Sequence, residues 1–330
     1  MDKYDVAELT PGDLAQWDAL VDHSVHGTIF HKTGWLDACA RSLGKQVKIF
    51  GCFQDGSLVG GCSLFLEKTM GGVLSVAQST CTMTTYGGVV LSSPPTASVQ
   101  KQESFSRNII ESLIQCLNKE HFYLISIVNS PEFLDIRPFT MNGWKSYVLY
   151  TYYFDLRGEI ESRFDSEVKR KIRKAEKNGI IIETSSDISN YYNLLCETYA
   201  RKNSEPPAPK RLIFDLYSFI RKQNCGEILV AKTPEDEIAC ACIDIWDNRM
   251  AYNWSAVSDP KFLNTGAVSL LNLDGFKRVK NLGFPKVNMA MGNIPHLSKF
   301  AASFNPTLVP YYQIKSKIFD DLRSHIKNSL

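Results

Sequence analysis

The sequence predicts an α/β protein made of two similar halves, and two observations lead to this prediction. The first is a pair of matching strand–turn–strand segments, at 47–67 and 227–246. The second is that an amphipathic helix and a short apolar strand follow each of them further along the chain. Alternation of strands with helices of this length is typical of a sheet that is covered by helices.

The two strand–turn–strand segments share their layout more than their residues. The first reads VKIFGCFQDGSLVGGCSLFLE and turns at 54–56, and the second reads EILVAKTPEDEIACACIDIW and turns at 234–236. Very small residues open both second strands, at 60–61 and 239–241. Small residues at these positions let another backbone or a ligand come close to the sheet.

Helices and strands of matching type complete each half. A helix at 105–120 leads into a strand at 123–128, and a helix at 267–282 leads into a strand at 286–291. From this order we expect four parts of the chain, which are an N-terminal domain at 1–155, a basic linking helix at 156–179, a C-terminal domain at 180–316 and a helical tail at 317–330.

The second half carries an additional helical pair. Apolar residues recur at helical spacing over 187–202 and again over 210–223, and the proline-rich segment SEPPAP at 204–209 separates them. This break, with Arg211 beside it, is either a substrate-binding loop or a rigid connector between two helices, because proline clusters stiffen turns.

The helix at 163–179, RFDSEVKRKIRKAEKNG, has a strongly basic surface. Phe164, Val168, Ile172 and Ala175 form one apolar stripe, and Gly179 is placed to end the helix in a left-handed cap. The remaining positions are rich in lysine and arginine, although the whole chain has a net charge of only +2. Such a local charge indicates either an anionic ligand or a solvated helix surface.

Composition sets limits on the class of protein. A chain of 330 residues with 44% hydrophobic residues can form sizeable cores, and its near-neutral charge argues against a protein that coats nucleic acid. The N-terminal segment lacks the pattern of a signal peptide, and no apolar run reaches the length of a membrane span. We therefore expect a cytoplasmic protein without a transmembrane segment.

Nine cysteines are scattered along the chain without a CxxC pair. This arrangement favours reduced cysteines that serve as small buried hydrophobic residues over a disulfide framework or a zinc site. Cys240 and Cys242 would share one side of a strand, which leaves a metal or redox role open for them.

Several motifs together resemble the Fem-type aminoacyltransferases, the FemABX family, and their GNAT acyltransferase relatives. They are the Gly-x-x-x-Gly turn at 56–60, TIFHKTGW at 28–35, the basic helix, MAYNWSAVSD at 250–259 and the spacing of Leu297, Phe300 and Phe304. The resemblance covers nearly the whole chain. It implies two tandem GNAT-like domains, each a mixed sheet flanked by helices.

The chain departs from the family in its C-terminal motif. Ala301 stands where the family has a lysine associated with charge stabilisation at the reacting carbonyl, and Asn305 stands where it has a glycine. Lys299 is two residues away and would point elsewhere on a helix, so it is a poor substitute.

The resemblance implies an N-acyltransferase that moves an acyl or aminoacyl group onto an amine of a cell-envelope precursor, amino sugar or peptide. The sequence has no Gly-x-Ser-x-Gly elbow, which favours direct attack by the amine over an acyl-enzyme. The donor would be acyl-CoA or aminoacyl-tRNA, with no cofactor held permanently, and a sugar-nucleotide acceptor is also possible. A catalytically inactive binding or regulatory protein and an RNA-binding protein that uses the basic helix are the alternatives.

Candidate site residues follow from chemistry and from the motifs. His31 is a possible general base, Asp244 is a carboxyl group within an apolar strand, and Lys299 is the nearest cation to Ala301. Structural roles for the histidine and for the aromatic residues are the alternative. The candidates for substrate binding are Trp35, Lys169, Arg170, Arg173, Lys177, Arg211, Tyr252, Trp254 and Phe300.

A phosphate-binding loop has weak support in the sequence. Acyl-CoA enzymes hold pyrophosphate with free backbone N–H groups at a helix N-terminus. The candidates are 264–267, which contains one glycine, and 92–98, and both also fit ordinary helix entries.

Overall fold

The computed structural model describes residues 4–69, 74–94, 96–201 and 203–316, and it confirms the predicted α/β class. The helices are α1 (Leu14–His23), α2 (Thr33–Leu43), α3 (Val99–Lys119), α4 (Arg137–Met141), α5 (Ser166–Lys177), α6 (Ile188–Ala200), α7 (Lys210–Gln223), α8 (Ala267–Asn281) and α9 (Pro295–Ala302). The strands are β1 (Tyr4–Glu8), β2 (Gln46–Gln54), β3 (Ser57–Thr69), β4 (Leu74–Gln78), β5 (Gly88–Leu91), β6 (Leu124–Val128), β7 (Lys145–Asp155), β8 (Ile181–Ser185), β9 (Gly226–Lys232), β10 (Ile238–Trp246), β11 (Ala251–Ser258), β12 (Lys286–Asn288) and β13 (Thr307–Lys315).

The chain forms two compact units. The first contains the described residues of Met1–Leu149 and of Pro310–Leu330, and the second is Tyr150–Val309. In the first unit the strands lie in the order β1-β2-β3-β4-β6-β13, with β5 also paired to β3. In the second unit the order is β8-β9-β10-β11-β12-β7.

The two sheets repeat one plan. Each contains the predicted hairpin, β2–β3 or β9–β10, and each contains one parallel pair, β4–β6 or β11–β12, whose strands are joined through a long helix. The joining helix is α3 in the first unit and α8 in the second, so both connections are crossovers between parallel strands.

The last strand of each sheet comes from the other half of the sequence. Strand β7 follows β6 along the chain, yet Asp155 of β7 pairs with Lys286 of β12 in the second unit. Strand β13 follows β12, yet Gln313 of β13 pairs with Val128 of β6 in the first unit. Each sheet is therefore completed by a strand that the sequence order assigns to its counterpart.

Because of this strand exchange, the two units do not follow the domain boundaries expected at 155, 179 and 316. The second unit begins at Tyr150, before the expected boundary, and it contains α5, which we expected to be a separate linking helix. The reason is packing, because Val168, Ile172 and Ala175 of α5 are buried in the core of that unit. The helical tail expected at 317–330 lies outside the described residues.

The small residues of β3 make room for helices on both faces of the first sheet. A Cβ on Gly60 would lie 2.7 Å from Ile109 of α3, and a Cβ on Gly61 would lie 2.8 Å from Trp17 of α1. Close approach of the sheet, as the sequence predicts, therefore serves the packing of α1 and α3 in this unit.

Helices also cover both faces of the second sheet. Cys240 and Cys242 of β10 share one face, as predicted, and pack with Ala175 of α5 and Leu271 of α8. The opposite face meets α6, where the hydroxyl groups of Tyr191 and Ser255 are 2.5 Å apart. The proline-rich break between α6 and α7 is confirmed by the helix bounds, and Gly179 ends α5 at a φ of +69° as expected.

Candidate active site

The parallel strands of the second unit separate after two residue pairs. Ala251 pairs with Val287 and Tyr252 with Asn288, after which β11 continues to Ser258 while β12 ends. The chain turns away from β12 with Ala290 at a φ of +53°. The side of β11 that follows Tyr252 is thus no longer matched by β12, and its backbone groups are placed to bind an extended ligand.

A β-bulge lies at the same place in β11. Across the β10–β11 ladder Asp244 pairs with Asn253 and Ile243 pairs with Ser255, so Trp254 is the additional residue. A bulge bends the strand and increases its local twist. Strand β11 therefore bends close to the point where its pairing with β12 ends.

The corresponding place in the first unit is closed by the chain itself. Beyond the β4–β6 pairs, the hydroxyl oxygen of Ser79 accepts a hydrogen bond from the Val128 N–H at 2.8 Å, and the Gly87 N–H donates to the Val128 carbonyl at 2.9 Å. The side-chain oxygen of Asn129 accepts from the Val89 N–H at 3.1 Å. The open strand edge therefore belongs to the second unit.

Asp244 of β10 is hydrogen-bonded to the bulged part of β11. Its carboxylate accepts a hydrogen bond of 2.9 Å from the side-chain amide of Asn253, and both residues are 3% exposed. Gly275 of α8 leaves room for this carboxyl group, because a Cβ at position 275 would lie 2.5 Å from Asp244 Oδ2. Two buried side-chain oxygens, those of Asn253 on β11 and Asn272 on α8, have no hydrogen-bond partner among the described residues.

Burial raises the pKa of Asp244 to about 7, and the hydrogen bond from Asn253 opposes this shift. Glu227 and Asp274 add to the rise through like-charge repulsion. Arg278 lies beside both of these carboxylates, at 3.7 Å from Glu227 and within a short hydrogen bond of Asp274. Near neutral pH the buried carboxyl group of Asp244 therefore titrates beside a partly exposed cluster of Glu227, Asp274 and Arg278.

The N-terminus of α8 is seated directly on α5. Gly266 has a φ of +89°, and a Cβ there would lie 2.1 Å from the backbone oxygen of Lys171. The hydroxyl oxygen of Thr265 already accepts a hydrogen bond from the Ala267 N–H at 3.2 Å. The stretch at 264–267 is thus capped in part by its own side chain, and the basic helix forms its wall.

We expect Gly266→Ala to lower the free energy of unfolding by at least 3 kcal/mol, since it adds both left-handed strain and a backbone clash. Gly283→Ala is the matched control, because Gly283 has a φ of +95° but no atom within 4 Å of the added Cβ. It should cost about 1 kcal/mol from strain alone. Urea denaturation of both variants measures the difference, and equal losses would contradict the close seating of α8 on α5.

Helix α5 presents a row of exposed cations. Arg170, Arg173, Lys174 and Lys177 are exposed and make no ion pair or hydrogen bond among the described residues. Lys169, in contrast, donates a hydrogen bond of 2.8 Å to the Ser162 backbone oxygen. The four outer cations are therefore available to anionic groups.

The aromatic residues that the sequence suggested for substrate binding lie in or against cores. Trp35 is fully buried and donates from its indole nitrogen to Thr84 Oγ1 at 3.1 Å. Tyr252 is 3% exposed, and its hydroxyl donates to Asp247 at 2.9 Å. Trp254 is 9% exposed and Phe300 packs partly buried against Phe304. Of these, Trp254 lies at the bulge itself.

The other candidates are dispersed. His31 is fully buried in a short 3₁₀ turn, where Nδ1 accepts a hydrogen bond from the Thr28 N–H at 3.1 Å. Lys299 is exposed on α9, and Arg211 on α7 lies 3.7 Å from Asp215. Among the proposed catalytic residues, Asp244 is the one that lies beside the bulge of β11, across the ladder from Asn253.

Ala301 is fully buried among the aromatic residues of the second core, next to Phe304 and Phe276. The position that the resemblance aligns with the family's lysine is therefore a core position in this chain. A lysine introduced at position 301 would first disturb the packing of this core, so a loss of activity would not report on catalysis.

Three residues of the site could not be identified from the sequence alone. Asn253, Asn272 and Gly275 are recognised only when β10, β11 and α8 are seen together in the structure. The bulge depends on the register between β10 and β11, which alternation of residue types does not specify. For Gly275 the sequence offers one signal, because a glycine within a predicted helix usually has a packing reason.

The second unit also contains a shallow recess of about 360 Å³ at the beginning of β12. It is lined by Tyr153, Asp155, Arg157, Pro285, Lys286, Thr307 and Val309. The open edge of β11 lies past the other end of β12, so the recess and the candidate site are separate features of this unit.

Among the described residues, no group of three histidine, cysteine, aspartate or glutamate side chains could hold a metal ion. A search of the same part of the chain finds no helix that is both long and apolar enough to cross a membrane.

Residues 162–296 match the sequence family described as the acetyltransferase (GNAT) domain. No curated protein matches the sequence. The matched segment lies within the second unit, and it supports an acyltransferase activity for this chain.

Among solved structures, the fold is similar to that of FemX, with a TM-score of 0.74, 12% identity, and coverage of 98% of this chain and 99% of that chain. It is also similar to L-PGS from Bacillus licheniformis, with a TM-score of 0.58, 13% identity and coverage of 92% and 91%. A tandem GNAT protein from the clavulanic acid biosynthesis pathway has a TM-score of 0.57, 10% identity and coverage of 96% and 99%. The tandem GNAT fold expected from the Fem-type resemblance is thereby confirmed.

Proposed function

We propose that the protein is an N-acyltransferase that moves an acyl or aminoacyl group from an activated ester or thioester onto a primary amine. The observation that carries this proposal is the open edge of β11 in the unit that matches the acetyltransferase domain. The bulge at Trp254 bends β11 just after the point where its pairing with β12 ends. Backbone N–H groups along an unmatched strand edge can hold a donor carbonyl and stabilise the oxyanion that forms on it.

The amine attacks the donor carbonyl directly in this proposal. An acyl-enzyme would need an activated nucleophile close to the site. The nearest thiols are Cys240 and Cys242 of β10, and burial raises the pKa of each, to about 12 for Cys240. Protonated buried thiols are poor nucleophiles, so bond formation between the amine nitrogen and the carbonyl carbon is the simpler step.

The donor carries phosphates, in our proposal, and the outer cations of α5 bind them. Acyl-CoA and aminoacyl-tRNA both meet this requirement. An acyl-CoA would in addition offer amide groups along its arm, which can pair with the unmatched backbone of β11 as an added strand does. The acceptor is an amine on a cell-envelope precursor, amino sugar or peptide. This choice of acceptor class rests on the resemblance of the sequence motifs to those of the Fem-type aminoacyltransferases.

Reversing two cations of α5 should weaken donor binding by roughly tenfold or more, because each lost contact removes a charge-assisted hydrogen bond and adds repulsion. The test variant is Arg173→Glu with Lys177→Glu. Its control is Arg221→Glu with Lys222→Glu on α7, which makes the same change in net charge at other exposed positions. Equilibrium binding of acyl-CoA and of aminoacyl-tRNA at two salt concentrations measures the effect. Equal losses in both variants would show that only net charge matters.

A donor screen identifies the carrier. Native mass spectrometry of the purified protein should detect bound coenzyme A or tRNA, and added donors should compete for the same site. A co-purified sugar nucleotide would instead indicate that the acceptor is held more tightly. Absence of binding to any donor would contradict the proposed function.

A further inference from the structure

Two cysteines of the first unit meet at one hydroxyl group. Cys39 lies on α2 and is fully buried, while Cys81 lies partly exposed in the segment between β4 and β5. The Sγ atoms of Cys39 and Cys81 are 3.6 and 3.4 Å from Thr84 Oγ1. Both thiols are therefore within hydrogen-bonding distance of the same hydroxyl group.

The environment separates the roles of the two thiols. The neighbouring Cys39 thiol lowers the pKa of Cys81, and Thr84 and Lys45 lower it further while burial opposes the change. The neighbouring Cys81 thiol and burial raise the pKa of Cys39. Cys81 is therefore the more acidic of the two thiols, and it is also the more exposed one.

Other cysteines of the chain lack this combination. Burial raises the pKa of Cys52 and of Cys62 to about 12, so both stay protonated. Cys116, Cys196 and Cys225 are partly exposed like Cys81. Burial and the nearby Glu120 raise the pKa of Cys116, and the Cys225 thiol donates a hydrogen bond of 3.7 Å to the Ile220 backbone oxygen. A partly exposed thiol that can ionise next to a second thiol is the arrangement that supports reversible oxidation.

We propose that Cys39 and Cys81 form a site of reversible oxidation, at which a peroxide converts the thiol pair into a disulfide. The Cys81 thiolate attacks one peroxide oxygen, the O–O bond breaks, and Cys81 becomes a sulfenic acid as the other oxygen leaves with a proton. The sulfur of Cys39 then attacks that of Cys81, the S–O bond breaks, and the departing hydroxide takes the Cys39 proton to form water. Two thiols and one peroxide thus yield one disulfide, one alcohol or water, and one water.

The disulfide would change the surroundings of Trp35. In the reduced protein Thr84 Oγ1 accepts the hydrogen bond of the Trp35 indole and contacts both sulfurs. An S–S bond of about 2.05 Å draws the sulfurs together and away from this hydroxyl group. Oxidation should therefore alter the fluorescence of the buried indole, and reduction should restore it.

The test treats the full-length protein with one to five equivalents of hydrogen peroxide, followed by alkylation and peptide mapping. We expect the Cys39–Cys81 crosslink as the main product, reversed by dithiothreitol, while Cys196 and Cys225 stay alkylatable. Cys39→Ser should leave Cys81 as a sulfenic acid that dimedone traps, and Cys81→Ser should leave Cys39 unoxidised. Thermal melts show whether each variant is folded.

Two results would overturn the proposal. One is oxidation of Cys81 in the wild-type protein while Cys39 remains fully alkylatable, which would show a lone reactive thiol. The other is oxidation of Cys196 or Cys225 at the same rate as Cys81, which would show that exposure alone decides the reactivity. Neither readout depends on the acyl donor or acceptor, so this test is independent of the proposed function.

Discussion

Asp244→Asn is expected to remove a pH dependence of stability that amounts to about 3 kcal/mol between pH 4 and pH 7. The carboxyl group has a pKa of about 7 in the folded protein and 3.8 as its ordinary value. The folded state therefore holds this proton more tightly than the unfolded state. As the pH rises from 4 to 7, the unfolded chain releases the proton first, and the free energy of unfolding falls. Well above pH 7 both states are ionised and this contribution is constant.

The measurement is urea denaturation of wild type and variant at half-unit steps from pH 4 to pH 9. The difference between the two curves isolates Asp244, because Glu227, Asp274 and Arg278 remain in both proteins. Asp236→Asn is the control, since that side chain is 82% exposed in the β9–β10 turn and its left-handed backbone suits asparagine. A constant difference between wild type and Asp244→Asn across this pH range would refute the raised pKa.

Ala301→Lys should be the most destabilising single change considered for α9, with a loss of about 4 kcal/mol at pH 7. Ala301 is fully buried beside Phe304, so the new ammonium group must either be buried as a charge or lose its proton. Ala302→Lys is a close control, because Ala302 is the next residue of the same helix and is exposed. It should change stability by less than about 0.5 kcal/mol.

Thermal and urea denaturation measure the stability of the two lysine variants relative to wild type. Equal stability would show that the site at 301 can admit a lysine side chain and reach solvent. In that case the family's lysine could be restored, and its effect on activity would become informative. With the burial described, activity must instead be sought from the backbone of β11 and from Asp244.

Much of the fold could be predicted because the signals are local. Alternating apolar residues define the hairpins β2–β3 and β9–β10, and helical spacing defines α3, α5 and α8. Gly179 marked the end of α5 because left-handed backbone favours glycine. The predicted strand at 286–291 proved shorter, since Ala290 turns the chain away after Asn288.

The exchange of β7 and β13 could not be predicted, because both strands would suit either sheet by composition. Pairing between Asp155 and Lys286 joins residues far apart in sequence, and no local pattern encodes such a partner. The expected boundary at 155 followed sequence order for this reason. The meeting of Cys39 with Cys81 has the same origin, since a helix and a distant loop bring them together.

The residues of the candidate site were likewise predictable only in part. Asp244 was recognisable as a carboxyl group in an apolar strand, and the cations of α5 as a local excess of charge. Tyr252 and His31 were chosen by residue type, and their contacts show packing that composition alone does not reveal. The bulge at Trp254 follows from register, which requires the assembled sheet.

Direct detection of acyl transfer tests the central claim. Full-length protein is mixed with donors that carry a ¹³C-labelled acyl carbonyl, as acyl-CoA and as aminoacyl-tRNA in separate reactions, together with a set of primary amines. Acid-quenched samples are then analysed by mass spectrometry. We expect a labelled amide product in one donor series and no covalent mass increase on the protein. An acyl-protein adduct that forms and decays as product appears, or donor hydrolysis without any amide, would contradict it.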